Sequence, residues 1–190
     1  MDSFIIHFHL ANPDTRFISN EGKMMKVRLI TSYGDIVLAL NEDKAPITVE
    51  NFASYVRNGH YDGTIFHRVI NDFMIQAGGM DADMNEKATN TSIKNEANNG
   101  LSNLQGTVAM ARTPDPHSAS AQFFINTNDN AFLDFSAETD DGWGYCVFGE
   151  VVDGIETVEK IEETSTTSRS GHQDVPAEAI VITQAEVIEE

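Results

Sequence analysis

Only two segments of this chain carry the 3.6-residue apolar period of a surface helix, while many short runs have the composition and alternation of strands. The two kinds do not alternate strand, helix, strand. That order excludes a parallel α/β sheet, whose strands need a crossover connection, usually helical, between them. What remains is a mainly β fold, an antiparallel barrel or sandwich with helices at its periphery.

Val27 to Thr31 and Ile36 to Leu40 read as strands joined across Ser32-Tyr33-Gly34-Asp35, with glycine where positive φ is usable. Pro46 suits a first helical turn, and Val49, Phe52, Ala53 and Val56 form one apolar stripe before Asn58-Gly59 ends the helix. Thr107 to Thr113 and Ala121 to Asn126 are strands on either side of Pro114-Asp115-Pro116. Tyr145 to Val152 and Ala179 to Ile188 are the last strands. Between them, Gly154 to Glu163 is a short helix with Ile155, Val158 and Ile161 expected inward. Asp81 to Gly106 is a long polar passage, and such loops are either functional or supported by their own side chains.

The stretch TIFHRVINDFMIQAGG, Thr64 to Gly79, sets an arginine and a glutamine among apolar residues at strand spacing. Strict alternation puts Phe66, Arg68 and Ile70 on one face and Ile65, His67 and Val69 on the other. Asn71-Asp72 breaks the run, and Gly78-Gly79 allows a sharp turn or a close backbone approach. Taken alone, this reads first as an edge strand with a snorkelling arginine. On the later strand, Gln122 and Phe124 share one face and Phe123 and Ile125 the other, again mixing an amide with an aromatic ring.

Charge narrows the partners. With 30 acidic against 12 basic residues the formal net charge is -18, which opposes nucleic acid, since phosphates are engaged by clustered Lys and Arg. Ten of the carboxylates lie between Asp134 and Glu163 with Lys160 as the only cation, a solvated face. No apolar run approaches the roughly 18 residues of a membrane span. The single cysteine, Cys146, permits no intramolecular disulfide and reads as a small buried hydrophobe, so the expected compartment is the cytoplasm. Residues 1 to 24 read as an N-terminal extension, poorly ordered or not translated, with Asp2 where a secretory signal carries positive charge. His7 and His9 would face one way on a strand, but no further ligand has metal-site spacing.

FHRVINDFMIQAGG, GTVAMART, AQFFIN, FLDF and GWGYCVFGEVVDG, in this order, closely resemble the cyclophilin family of peptidyl-prolyl cis-trans isomerases, particularly its short bacterial cytosolic branch. The likeness covers Lys26 to about Ile188, so residues 25–190 are expected to form the isomerase domain. The resemblance implies a closed eight-stranded antiparallel β-barrel with a helix closing each end. It further implies Arg68 as the catalytic arginine, and a substrate groove lined by Phe73, Met74, Gln76, Ala111, Gln122, Phe124 and Leu133. The backbone near Ala111 and Arg112 is expected to pair with an extended substrate. Phe132 stands where the best-known eukaryotic members have tryptophan, and Tyr145 where they have histidine. Since phenylalanine has no indole N–H, weak cyclosporin binding is expected with catalysis retained. Trp143, in the Gly-Trp-Gly segment, is not that missing residue.

The implied chemistry suits these residue types. Rotating an X-Pro bond passes through a twisted state without amide resonance, over a barrier of about 20 kcal/mol. The prolyl nitrogen then becomes a better acceptor, so a fixed guanidinium binds the twisted state more tightly than either planar one. That asks for no metal, nucleotide, cofactor or general base, and His67 reads as a packed, hydrogen-bonded histidine. The partners implied are proline-containing peptides and unfolded or partly folded proteins, engaged by a monomer. A binding module of the same fold without turnover is the alternative from another class.

Overall fold

The computed structural model describes residues 24–189; residues 1–23 of the expected N-terminal extension, His7 and His9 among them, lie outside the described residues. Two strands open it, β1 (Lys26–Thr31) and β2 (Gly34–Leu40), followed by helix α1 (Pro46–Arg57). Next come β3 (Thr64–Ile65), β4 (Arg68–Ile70), β5 (Met74–Ala77), β6 (Thr107–Met110), β7 (Phe123–Asn126) and β8 (Val147–Asp153). Helix α2 (Ile155–Glu162), β9 (Thr166–Arg169), β10 (His172–Pro176) and β11 (Val181–Glu189) complete the order.

Nine strands form one antiparallel sheet in the order β3-β11-β1-β2-β8-β6-β7-β5-β4. Its two edge strands are separated in the chain only by Phe66 and His67. One interrupted stretch therefore pairs at its start with β11 and at its end with β5, which curls the sheet round on itself. Counting β3 and β4 as one strand gives the eight of the expected barrel. Across the break, Phe66 N donates to Ile180 O at 2.9 Å and His67 N to Gln76 O at 3.0 Å.

That break corrects the alternation expected at Arg68. Phe66 and Val69 both enter the main core, three positions apart, while Arg68 is exposed. The two residues between β3 and β4 rotate the chain, so Arg68 shares its outer face with Ile70 but not with Phe66. Inside, Phe52 of α1 meets Phe123 edge-on at 5.3 Å and Phe148 at 5.1 Å. Helix α1 buries the expected Val49, Phe52, Ala53 and Val56. In α2 the inward residues are Thr157, Val158 and Ile161; Ile155, expected inward, is 41% exposed. Ile155 opens the helix directly after left-handed Gly154, and Thr157 takes the inward place against Gly34.

The small sheet β9–β10 was not legible as strands, because its residues are mostly exposed and carry no apolar alternation. The long polar passage is held by its own side chains, as one of the two alternatives for it required. Glu96 accepts from the N–H of Thr48 at 2.8 Å and of Ile47 at 3.2 Å, capping α1. Lys87 Nζ donates to the carbonyls of His60 and Asp62, and Asn90 N donates to Tyr55 Oη at 2.8 Å.

Candidate active site

On β5, Ile75 and Ala77 point into the barrel core, so Met74 and Gln76 face outward. The same division on β7 sends Phe123 and Ile125 inward and Phe124 outward. Met74, Ala109, Phe124 and Val147 make a second apolar cluster on the outside of the sheet, with Phe73, Ala111, Leu133 and Tyr145 packed around it. Six residues singled out from the sequence thus meet at one place. Phe132 forms its rim, 74% exposed and stacked on Phe73 at 5.7 Å with 22° between the rings.

Several bonds fix this shelf. Asp72 lies in the left-handed region (φ 56°), and its N–H donates to Glu162 of α2 at 2.7 Å. The carbonyl of the adjacent Phe73 accepts from Thr127 N at 3.0 Å and from Asn130 Nδ2 at 2.8 Å. Asn130 also donates to Asn126, which donates to Asn103 and Thr107, a buried amide network behind the shelf. Tyr145 N donates to Leu133 O at 2.9 Å, and the Tyr145 ring meets Phe124 edge-on at 5.7 Å.

The polar side of the site centres on two glutamines. Gln76 sits directly across the ladder from both Arg68 and Phe124, and its Nε2 donates to Gln122 Oε1 at 2.9 Å. Ala111 N donates to Gln122 O at 3.0 Å, tying the end of β6 to the glutamine. Arg112 is fixed by donating to the carbonyls of Gly144 (2.9 Å) and Thr113 (2.9 Å), and its guanidinium lies 4.7 Å from the Tyr145 ring centroid. Beyond the glutamines, a cleft of about 220 Å³ is lined on its far side by Arg112, Thr113, Ser118 and Ser120. Sequence reasoning missed Thr113, Ser118 and Ser120; the Pro-Asp-Pro turn that folds them together was their only signal.

His67 is 5% exposed and its Nδ1 has no hydrogen-bond partner, so it is packed as expected but not bonded at that nitrogen. Burial lowers its pKa to about 4, opposed by the Ile65 backbone and the Gln122 side chain, which leaves the ring neutral near pH 7. Cys146 is buried and its thiol is pushed up to about 11, chiefly by burial, so it is inert packing. His117 accepts from Asn95 N at 3.1 Å and meets Trp143 edge-on at 4.9 Å. His172 lies exposed on β10.

The outer face of the curled antiparallel sheet thus gathers an apolar shelf, a guanidinium and two bonded amides, the kinds of group that suit an extended peptide. Residues 26–187 match the family described as cyclophilin type peptidyl-prolyl cis-trans isomerase/CLD. The chain belongs to this family and is a peptidyl-prolyl cis-trans isomerase. It is 59% identical over 165 residues to a peptidyl-prolyl cis-trans isomerase of Streptomyces antibioticus, covering 87% of this chain and 99% of that one. Peptidyl-prolyl cis-trans isomerase B of Escherichia coli is 59% identical over 159 residues, 84% of this chain and 97% of its own. A Cryptosporidium parvum cyclophilin type isomerase superposes with a TM-score of 0.72 at 26% identity, covering 88% of this chain and 99% of that one. Its structure in the presence of the dipeptide Ala-Pro gives a TM-score of 0.71. Among the described residues no helix is long and apolar enough to cross a membrane.

Proposed function

We propose that Arg68 is the catalytic group of this isomerase and that the outer shelf takes the proline ring. The observation that carries this is the cross-strand placement of Arg68 beside Gln76, with the shelf residues Phe73, Met74, Phe124 and Leu133 gathered next to it. As the X-Pro bond twists, the prolyl nitrogen regains its lone pair, and a donor fixed there lowers the barrier because the planar states accept from it less well. Gln76 holds a peptide carbonyl, Gln122 supports Gln76, and the main chain at Ala111 and Arg112 pairs with the substrate backbone. Phe132 and Tyr145 finish the rim.

The clients are proline-containing segments of unfolded or partly folded proteins, whose slow steps this reaction relieves. The active unit is a cytoplasmic monomer made of residues 25–190, with residues 1–24 an extension that catalysis does not need. Isomerisation of a short Ala-Pro peptide tests the assignment. The parent accelerates it, Arg68→Ala loses most of the acceleration, and Phe124→Ala weakens it. An Arg68→Ala protein with full activity would reject Arg68 as the catalytic group, while a parent that binds the peptide without turnover would favour the binding-module reading. A protein starting at Met25 retains parental activity.

A further inference from the structure

Among the described residues Arg68 has one charged partner, and that partner belongs to the small sheet outside the barrel. Asp174 Oδ2 lies 3.9 Å from Arg68 Nε. We propose that Asp174 is a positioning residue for the Arg68 guanidinium, an inference that rests on the reading of Arg68 as the catalytic group.

The fold presents Asp174 deliberately. The pairing of β9 with β10 slips between His172 and Val175, and Asp174 sits in that irregularity in the left-handed region, φ 59°. Just beyond, Val175 is 1% exposed in a cluster with Ile65, Met80 and Met84, so β10 is bolted beside the start of the stretch that carries Arg68. On the other strand, Arg169 Nη2 donates to Ala82 O at 2.9 Å. Anchored at both places, the bulge has a fixed address next to β4.

Arg68 needs such a neighbour. Its side chain is 47% exposed, and a long side chain at such a position has many accessible rotamers. Gln76 directs its amide to Gln122. The Asp174 carboxylate faces the Nε edge at ion-pair distance, beyond hydrogen-bond length, so it orients the charge without taking up a donor. Among the described residues neither terminal nitrogen of the guanidinium is engaged, so both remain for the substrate.

The test is a double-mutant cycle on Asp174 and Arg68, read by magnetisation-exchange NMR on an Ala-Pro peptide so that slow variants stay measurable. Asp174→Asn is the useful variant, because asparagine tolerates the left-handed region and removes only the charge. We expect its kcat to fall about 2- to 5-fold, the range of an exposed ion pair, with KM nearly unchanged and the melting temperature held. In an Arg68→Ala background the same substitution changes nothing further. A parental kcat for Asp174→Asn, or an equal loss with and without the Arg68 guanidinium, overturns the positioning role. Parental activity in Arg68→Ala alone overturns instead the catalytic reading beneath it.

Discussion

Gln122 accepts a hydrogen bond from Gln76 at 2.9 Å, and it can lie where it does only because residue 79 has no Cβ. A Cβ built at Gly79 would fall 2.5 Å from both Cδ and Nε2 of Gln122. The colliding atoms are the end of a flexible side chain, so Gly79→Ala should fold and simply push the amide away. Gln76 then loses its support. The expected outcome is a loss in kcat/KM of about 3- to 10-fold, the worth of one neutral hydrogen bond, with little change in melting temperature. Gly78→Ala contrasts with it: there φ is +90° and a Cβ would lie 2.9 Å from the Ala121 carbonyl, so stability should fall instead. Parallel thermal melts and peptide assays separate the two.

Phe132 is exposed and stacked on Phe73, a ring without a hydrogen-bond donor at the rim of the shelf. Phe132→Trp keeps the stacking and adds an indole N–H. Cyclosporin affinity, expected to be weak in the parent, should improve about 2- to 10-fold by isothermal titration calorimetry, while Ala-Pro isomerisation changes little. A parent that already binds as tightly as the variant would show that this position does not limit inhibitor binding.

The division of labour on β5 and β7 was legible because period-2 alternation decides which side chains meet the core, and Phe123 and Phe124 obey it. At Arg68 the same rule failed for a reason no local pattern reveals: the edge strand has two different partners, and the chain rotates between them at Phe66-His67. Asp174 was invisible for a related reason. Its hairpin is mostly exposed and has no apolar alternation, and its nearness to Arg68 comes from how β10 docks, which depends on Val175 finding a cluster formed by distant residues. The shelf residues could be grouped through the family resemblance, but the carboxylate of Glu96 that caps α1 from a distant loop had no sequence signal at all.

His67 gives the stability a pH dependence. Its folded pKa, about 4, lies below the unfolded value of about 6.5, so the unfolded chain binds the extra proton between those limits. Its contribution is therefore fully present above pH 6.5 and is lost as pH falls toward 4, amounting to about 3 kcal/mol over that interval. Denaturant titrations at pH 7 and pH 4.5 should show the loss, and His67→Gln should flatten it. Imidazole NMR signals should report His67 neutral down to about pH 4. Isomerase activity between pH 6 and 8 should carry no step from this residue.

Glu96 holds the start of α1 where its own sequence cannot, since Ala45 at the N-cap makes no side-chain cap bond and the first turn has no acidic residue. The carboxylate supplies both functions, accepting from two backbone N–H groups and from Thr48 Oγ1 at 2.7 Å, with negative charge at the positive end of the helix. Glu96→Ala should destabilise the protein by about 1–2 kcal/mol, the usual cost of a lost cap, and Glu96→Gln by less because the amide oxygen still accepts. The helix closes on the core through Phe52 and does not line the outer shelf, so kcat/KM for the Ala-Pro peptide should stay parental at 25 °C. A drop in activity without a drop in melting temperature would instead mean that α1 and the shelf are coupled through the loop carrying Glu96.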